Sequence, residues 1–249
     1  KAQHRSIIDR CVQAVYRPYI ASGYKGNAPT LTDLQAEIKK QPEPEAQELA
    51  LAAELFISGS LSIFAQKTNV DQNNRLTSYN ILDLGEQLLP MGMLVILESI
   101  YNRVIQNWRS GRRTWVFVDE FSIFFRYPFA TNFFLRMWKQ VRKRAGYMTG
   151  ITQNVGEMLT SKDACWMLAN SEFLIMLSQS ASDRAALAEL LNISDTQLSY
   201  VENADPGCGL MKFGGAFIPF VNSFPEDTEL YKLMTTKPAD REQVKPHGV

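Results

Sequence analysis

Residues 114–120, Thr-Trp-Val-Phe-Val-Asp-Glu, place two adjacent carboxylates directly after a short apolar run. The β-branched and aromatic residues of the run predict a strand that is buried on both faces of a parallel sheet, and such sheets bind ligands at their carboxyl ends. Asp119 would hold a magnesium ion through water there, and Glu120 would activate the water that attacks a γ-phosphate. The alternative, with about equal weight, is a strand that ends in Asp-Glu because the chain re-enters solvent.

Polar residues also follow two other predicted strands. Asp83 lies near the end of the first, and Gln153 and Asn154 follow the third. A glutamine beside an acidic pair would sense the γ-phosphate or position the attacking water, so Gln153 is interpreted as functional. Asn154 is interpreted, by roughly two to one, as the cap of a short helix over 155–159. Asp83 is interpreted as a capping or turn residue.

The helix predicted over 129–144 concentrates positive charge in a chain whose 26 basic and 26 acidic residues otherwise balance. Cations near a helix carboxyl end usually form a solvated face, and the residues alone slightly favour this interpretation. The functional alternatives are an arginine that reaches the phosphates of a neighbouring subunit and a contact with DNA. The cluster consists of Arg136, Lys139, Arg142, Lys143 and Arg144.

Composition excludes several other kinds of chemistry. The only histidines, His4 and His247, lie near the termini, and the three cysteines form no CxxC pair. This inventory argues against serine-histidine or cysteine-histidine catalysis, zinc sites and a disulfide framework, and it fits a reducing cytoplasmic setting. The longest apolar stretch, 88–97, is shorter than the roughly 20 residues that span a bilayer.

The pattern of apolar residues divides the chain in two at 69–75. Helices are predicted over 6–16, with a break at Pro18, over 33–40, with Thr32 as its cap, and over 45–57, with Gly59 at its end. From about residue 76, strands alternate with helices, which predicts an α/β domain with a mostly parallel sheet. The strands are predicted at 79–84, 114–118, 147–152 and 173–177, the later helices at 94–108, 129–144, 155–159, 183–191 and 195–201, and a terminal hairpin at 209–213 and 216–221.

A phosphate-binding GxxxxGK[ST] loop does not occur in these 249 residues. The nearest glycine-rich segment, 23–26, lacks a preceding strand, the spacing and the Ser or Thr after its lysine. The sequence therefore predicts half of a nucleotide site.

The ordered series of segments resembles the VirB-four-type ATPases of conjugative type IV secretion systems, such as TrbE/TraE-like conjugal transfer ATPases. The likeness extends over nearly the whole chain and includes the all-helical insertion of that family. Its segments are 29–31, 59–61, 68–70, 79–85, 113–121, 138–143, 150–155 and 209–219.

This resemblance implies a RecA-like P-loop NTPase core over 73–249 and an all-helical insertion subdomain over 1–72. It implies an ATPase that uses ATP and Mg²⁺, with Asp119 holding the metal through water, Glu120 activating water and Gln153 as the sensor. Arg142 matches the family's arginine finger, and Arg144 is the second choice. With the phosphate loop expected upstream of Lys1, these residues alone are expected to bind no nucleotide and to be inactive.

The resemblance also implies a dimer or hexamer at the cytoplasmic face of the inner membrane, associated with the membrane through partners. Those partners would be secretion channel subunits and a coupling ATPase; a contact of the basic helix with DNA is a further possibility that rests on its cations alone. The motor would power channel assembly or the transfer of DNA and protein substrates. The alternatives are a non-catalytic docking module of the channel and a DNA-pumping translocase of the same superfamily.

Overall fold

The computed structural model describes residues 2–67, 74–81, 83–153 and 155–235. The chain forms two compact units, Lys1–Leu88 and Leu89–Val249. Most of the boundary predicted at 69–75 lies outside the described residues. The assignment of 1–72 as an insertion subdomain and of 73–249 as a motor core stays a prediction.

The described part of the first unit contains three α-helices, α1 (Ala2–Ala21), α2 (Leu31–Ile38) and α3 (Pro44–Ile57), and a 3-10 turn, Ser62–Ala65. Small and aliphatic side chains allow these helices to pack closely. Their buried core comprises Ile7, Cys11, Ile38, Ala46 and Ala50.

Two helix ends in this unit differ from the prediction. α1 continues through Pro18 to Ala21, because a proline removes only its own N–H bond and the N–H of Ser22 still donates to the Pro18 carbonyl at 3.0 Å. α2 is capped at Thr30 rather than Thr32: the Thr30 N–H and hydroxyl both donate to Asp33 Oδ2, at 2.7 and 2.9 Å. These bonds, the backbone one first, hold the pKa of the Asp33 carboxyl below its usual range.

The second unit begins with α4 (Leu89–Arg109), β1 (Thr114–Val118), α5 (Pro128–Gln140) and β2 (Gly146–Gly150), with 3-10 turns at Phe121–Arg126 and Val141–Arg144. Its later elements are α6 (Val155–Leu159), α7 (Lys162–Ala169), β3 (Phe173–Met176), α8 (Ala181–Leu191), α9 (Asp195–Leu198), a 3-10 turn at Ser199–Val201, β4 (Cys208–Phe213), β5 (Ala216–Val221) and α10 (Glu229–Met234).

Among the described residues, the strands form two sheets rather than the predicted single, mostly parallel one. β1 and β2 pair in parallel from Thr114 opposite Gly146, and β3, β4 and β5 form an antiparallel sheet. The strand predicted at 79–84 is absent from its described residues. An apolar pattern becomes a strand only where a neighbouring backbone takes up its N–H and C=O groups.

β1 is buried on one face only, which corrects the prediction of two buried faces. Val116 and Val118 point into the core, whereas Trp115 is 55% exposed and Phe117 is 68% exposed. Trp115 stacks on the exposed Tyr147 of β2, with ring centroids 4.9 Å apart and planes 14° apart. The parallel sheet therefore presents an uncovered aromatic face.

The terminal hairpin is confirmed. β4 and β5 pair from Cys208 opposite Val221 to Phe213 opposite Ala216, and Gly214 turns the chain with a φ of 56°. The inner face of this sheet packs on α8 around Met176, Leu187, Leu191, Ile193, Val201 and Leu210. Within the described ranges, no helix has both the length and the hydropathy that crossing a bilayer requires.

Candidate nucleotide-hydrolysis site

Two backbone hydrogen bonds join the carboxyl ends of β1 and β2. The N–H of Ile151 donates to the Val118 carbonyl, and the N–H of Phe121 donates to the Ile151 carbonyl, both at 2.8 Å. The chain segments that leave the two strands are therefore held side by side. This geometry brings Asp119 and Glu120 next to Gln153, as the parallel pairing of neighbouring strands predicted.

Glu120 and Gln153 are in direct contact across the two strand ends. The Gln153 Nε2 donates to Glu120 Oε1 at 3.0 Å, although the two residues are 33 positions apart in sequence. Glu120 is half-buried and Gln153 is exposed. One carboxylate oxygen is thus bonded to the amide, and Oε2 is left to accept a proton or a hydrogen bond.

The backbone of Glu120 lies in the left-handed region, with φ 47° and ψ 47°. Side chains other than glycine lose about 1–2 kcal/mol in this conformation. The Glu120 N–H donates to Asp119 Oδ1 at 3.0 Å, which offsets part of that cost. Glu120 is thus carried by a strained turn directly after the carboxyl end of β1.

Phe121, the residue after Glu120, anchors this turn in the core. Its ring is 2% exposed and packs edge-on against Phe134 at 4.9 Å and flat against Trp138 at 5.5 Å. The ring lies over Gly150 of β2, where an added Cβ would come within 2.5 Å of Phe121 Cδ1. Phe121 and Gly150 lie in the segments 113–121 and 150–155, but neither was assigned a role of its own from the sequence, although a glycine in a strand often marks a close approach.

The residues at this edge fit a magnesium ion that is bound mainly by water and phosphate oxygens. Mg²⁺ commonly takes one or two carboxylates and keeps several waters, and the exposed Asp119 offers one such carboxylate. In the described ranges, no three side chains from His, Cys, Asp and Glu converge into a metal cage. The single exposed carboxylate of Asp119 is compatible with a magnesium ion that arrives with a phosphate substrate.

Arg142 and Arg144 lie at the other end of the parallel sheet. They belong to the 3-10 turn Val141–Arg144, which leads into β2, and the Thr114 N–H donates to the Ala145 carbonyl at 3.1 Å there. The five residues of β2 separate this turn from the carboxyl edge by about 16 Å. The structure therefore does not bring the two arginines to Asp119, Glu120 and Gln153 of the same chain.

The cations of this region differ in their surroundings. The Arg136 and Arg144 guanidinium carbons lie 5.4 and 5.5 Å from the centroid of the Tyr101 ring, and Lys139 Nζ lies 4.6 Å from that of Trp166. Arg144 Nη1 also donates to Gln140 Oε1 at 3.3 Å. Of the two predicted finger residues, Arg142 is the exposed one and Arg144 is partly buried.

The sequence singled out two other polar residues. Asp83 is exposed in a turn of the first unit, where it was interpreted as a turn residue. Asn154, interpreted as a helix cap, lies outside the described residues.

Comparison with known proteins places the fold in one class. No protein-family model and no curated protein matches the chain. Among solved structures, the fold is similar to that of a VirB4 protein. VirB4 of Thermoanaerobacter pseudethanolicus matches with a TM-score of 0.73 and 21% sequence identity, over 91% of this chain and 66% of that chain.

The plasmid coupling protein TrwB in complex with the non-hydrolysable GTP analogue GDPNP also matches, with a TM-score of 0.49 and 15% identity, over 90% of this chain and 65% of that one. An unbound form of the bacterial conjugative coupling protein TrwB has a TM-score of 0.46 and 14% identity, with the same coverages of 90% and 65%. The chain thus spans about two thirds of the length of each of these solved chains.

Proposed function

We propose that this chain provides the hydrolytic half of an ATP-driven motor of a conjugative type IV secretion system. The observation that carries the proposal is the 3.0 Å hydrogen bond between Gln153 and Glu120 at the carboxyl ends of two parallel strands. An acid and an amide in contact at that edge suit water activation beside a phosphate. The VirB4-like fold supports the assignment to type IV secretion.

In this mechanism Glu120 is the general base and Gln153 orients it. Glu120 Oε2 accepts a proton from the attacking water, while the Gln153 amide holds Oε1. Asp119, whose Oδ1 accepts the Glu120 N–H, fixes the turn and keeps its other oxygen for a magnesium-bound water. ATP and Mg²⁺ supply the phosphoryl group and neutralise its charge.

The proposal assigns phosphate binding to polypeptide other than these 249 residues, which hold no GxxxxGK[ST] loop. The uncovered face of the parallel sheet, formed by Trp115, Phe117 and Tyr147, supports this assignment. Parallel sheets are normally covered on both faces, so the exposed aromatic rings suit a second layer of a RecA-like core. In this proposal the helical part, 1–72, is an insertion subdomain and 73–249 is the later part of the motor core.

The complete motor would act as a dimer or hexamer at the cytoplasmic face of the inner membrane. It would dock on channel subunits and a coupling ATPase, and would power channel assembly or the transfer of DNA or protein. An arginine from a neighbouring copy, Arg142 or Arg144, would complete each site, because both lie about 16 Å from the acidic edge of their own chain.

The test is ATP hydrolysis by the complete natural protein, with Glu120→Gln as the variant and Glu189→Gln as the matched control. Glu189 is an exposed glutamate of α8. Loss of the base should lower kcat about 100- to 10,000-fold while ATP binding persists, and the control should match the unchanged protein. Equal rates for the two variants would exclude Glu120 as the base. A complete protein that binds its channel partners without hydrolysing ATP would favour the docking-module alternative.

A further inference from the structure

One tyrosine of α4 contacts two arginines from separate elements. Tyr101 has the guanidinium of Arg136, from α5, at 5.4 Å from its ring centroid and that of Arg144, from the turn before β2, at 5.5 Å. Guanidinium groups are attracted to the faces of aromatic rings, whereas two like charges repel each other. We call the group Tyr101, Arg136 and Arg144 the Tyr101 clamp. It ties the turn Val141–Arg144 to two helices.

Both ends of this turn are fixed, and its middle is exposed. Val141 is 5% exposed and occupies the space beside Gly146, which an added Cβ would need. Arg144, at the other end, lies on the Tyr101 ring. Ala145 follows in the left-handed region, with φ 51°, and its N–H donates to the Arg142 carbonyl at 3.1 Å. The Arg142 side chain is thus presented to solvent from a turn that is anchored on both sides.

Charge divides the parallel sheet into a cationic and an anionic end. The backbone bond from the Thr114 N–H to the Ala145 carbonyl brings the segments before β1 and β2 together at the amino end. No described carboxylate forms an ion pair with the cations there, which are Arg112, Arg113, Arg142, Lys143 and Arg144. The carboxyl end carries Asp119 and Glu120. Complementary ends on one molecule suit head-to-tail association of copies.

We propose that Tyr101 is a positioning residue, which holds the turn through the clamp so that Arg142 reaches the Asp119, Glu120 and Gln153 edge of a second copy. This inference rests on the proposed function and deepens it by selecting Arg142 over Arg144. The guanidinium of Arg144 is engaged by the Tyr101 ring and Gln140. That of Arg142 is exposed and is able to bind phosphate oxygens in a bidentate manner.

The first experiment compares Tyr101→Leu with Tyr101→Phe in the complete natural protein. Leucine removes the ring, and we expect kcat to fall roughly 10- to 100-fold with KM unchanged, because a misplaced group loses rate rather than substrate affinity. Phenylalanine keeps the ring face and should restore kcat. Tyr200→Leu is the matched control, since Tyr200 is an exposed tyrosine of the same unit and makes none of the clamp contacts.

Arg144→Gln is the second variant. It is included because loss of the Tyr101 ring could impair folding by itself. It removes the cation from the ring and leaves the ring in place, and it should reproduce the loss of kcat with a thermal unfolding midpoint close to that of the unchanged protein. An unchanged kcat in either Tyr101→Leu or Arg144→Gln would overturn the inference.

Mixing variants tests whether the effect passes through a second copy. Glu120→Gln lacks the base but keeps Arg142, so a mixture with Arg142→Ala should hydrolyse ATP faster than the two proteins assayed apart. A mixture of Tyr101→Leu with Glu120→Gln should likewise hydrolyse ATP faster than the two proteins apart. A mixture of Tyr101→Leu with Arg142→Ala should show no such increase. The role of Tyr101 would be overturned if mixing with Arg142→Ala raised the ATP hydrolysis of Tyr101→Leu, or if mixing with Glu120→Gln did not raise it. Loss of hydrolysis in Glu120→Gln alone still supports the proposed function, so the two claims fail separately.

Discussion

The two ends of the parallel sheet position their polar residues by different means. At the carboxyl end, the main chain does the positioning: two 2.8 Å backbone bonds join the strands, and Glu120 and Gln153 meet directly. At the amino end, side chains do it: Arg136 and Arg144 lie on the ring of Tyr101, and the exposed Arg142 lies between anchored residues.

This difference predicts how each end responds to substitution. Backbone hydrogen bonds persist when a surface side chain changes. The structure of the carboxyl end should therefore be disturbed mainly by substitutions of its buried anchoring residues. Contacts between a cation and a ring are individually weak and depend on one side chain each. The amino end should therefore lose function before it loses stability, whereas substitution of a buried anchor at the carboxyl end should lower both together.

The largest expected effect is the removal of the buried anchor. Phe121→Ala should lower the free energy of unfolding of the 249-residue chain by about 3–5 kcal/mol, because it empties the space between Phe134, Trp138 and Gly150. Urea denaturation measures the change. Phe117→Ala, on the exposed face of the same sheet, is the matched control and should cost about 1 kcal/mol or less. Equal costs would show that Phe121 does not anchor this end.

An intermediate effect is expected where the anchor meets β2. Gly150→Ala would place a Cβ 2.5 Å from Phe121 Cδ1, and this overpacking should destabilise the chain by about 1–3 kcal/mol. Gly215→Ala is the control, because a Cβ there meets nothing within 4 Å. Thermal unfolding of both variants checks the prediction. A midpoint for Gly150→Ala as high as that of the control would mean that the contact relaxes freely.

The smallest effect is expected at the amino end. Arg144→Ala should cost about 0.5–1 kcal/mol of stability through the lost contact with Tyr101, and Arg142→Ala should cost less, because Arg142 is exposed. Denaturant midpoints measured side by side resolve the difference. A larger loss of stability in Arg142→Ala than in Arg144→Ala would contradict the finding that Arg144, rather than Arg142, makes the stabilising contact with Tyr101.

Local sequence signals predicted most of the second unit. The run 114–118 predicted a strand and Gly214-Gly215 predicted a hairpin turn, each from a few neighbouring residues, and both are confirmed. The pattern at 79–84 looked equally strand-like, yet a strand depends on a partner from elsewhere in the chain. The expectation of two buried faces for β1 failed for the same reason, since burial is decided by what packs on the strand.

The candidate site was predictable only in part. The rule that parallel strands end at a common edge brought Glu120 and Gln153 together across 33 residues. No comparable rule links Tyr101 to Arg144, because their contact depends on how α4 packs beside the turn before β2. The resemblance therefore indicated the arginine pair and ranked Arg142 first, and the packing adds that Arg142 is the exposed member and Arg144 the one on the Tyr101 ring.

The left-handed backbone of Glu120 has a consequence for how this protein can change over generations. Glycine is the residue that this conformation favours, and asparagine tolerates it better than glutamate. Mutation with selection for stability alone would tend to remove the carboxylate, and selection for turnover would restore it. In the proposed mechanism the glutamate at φ 47° trades local stability for chemistry, and descendants freed from hydrolysis should lose it early.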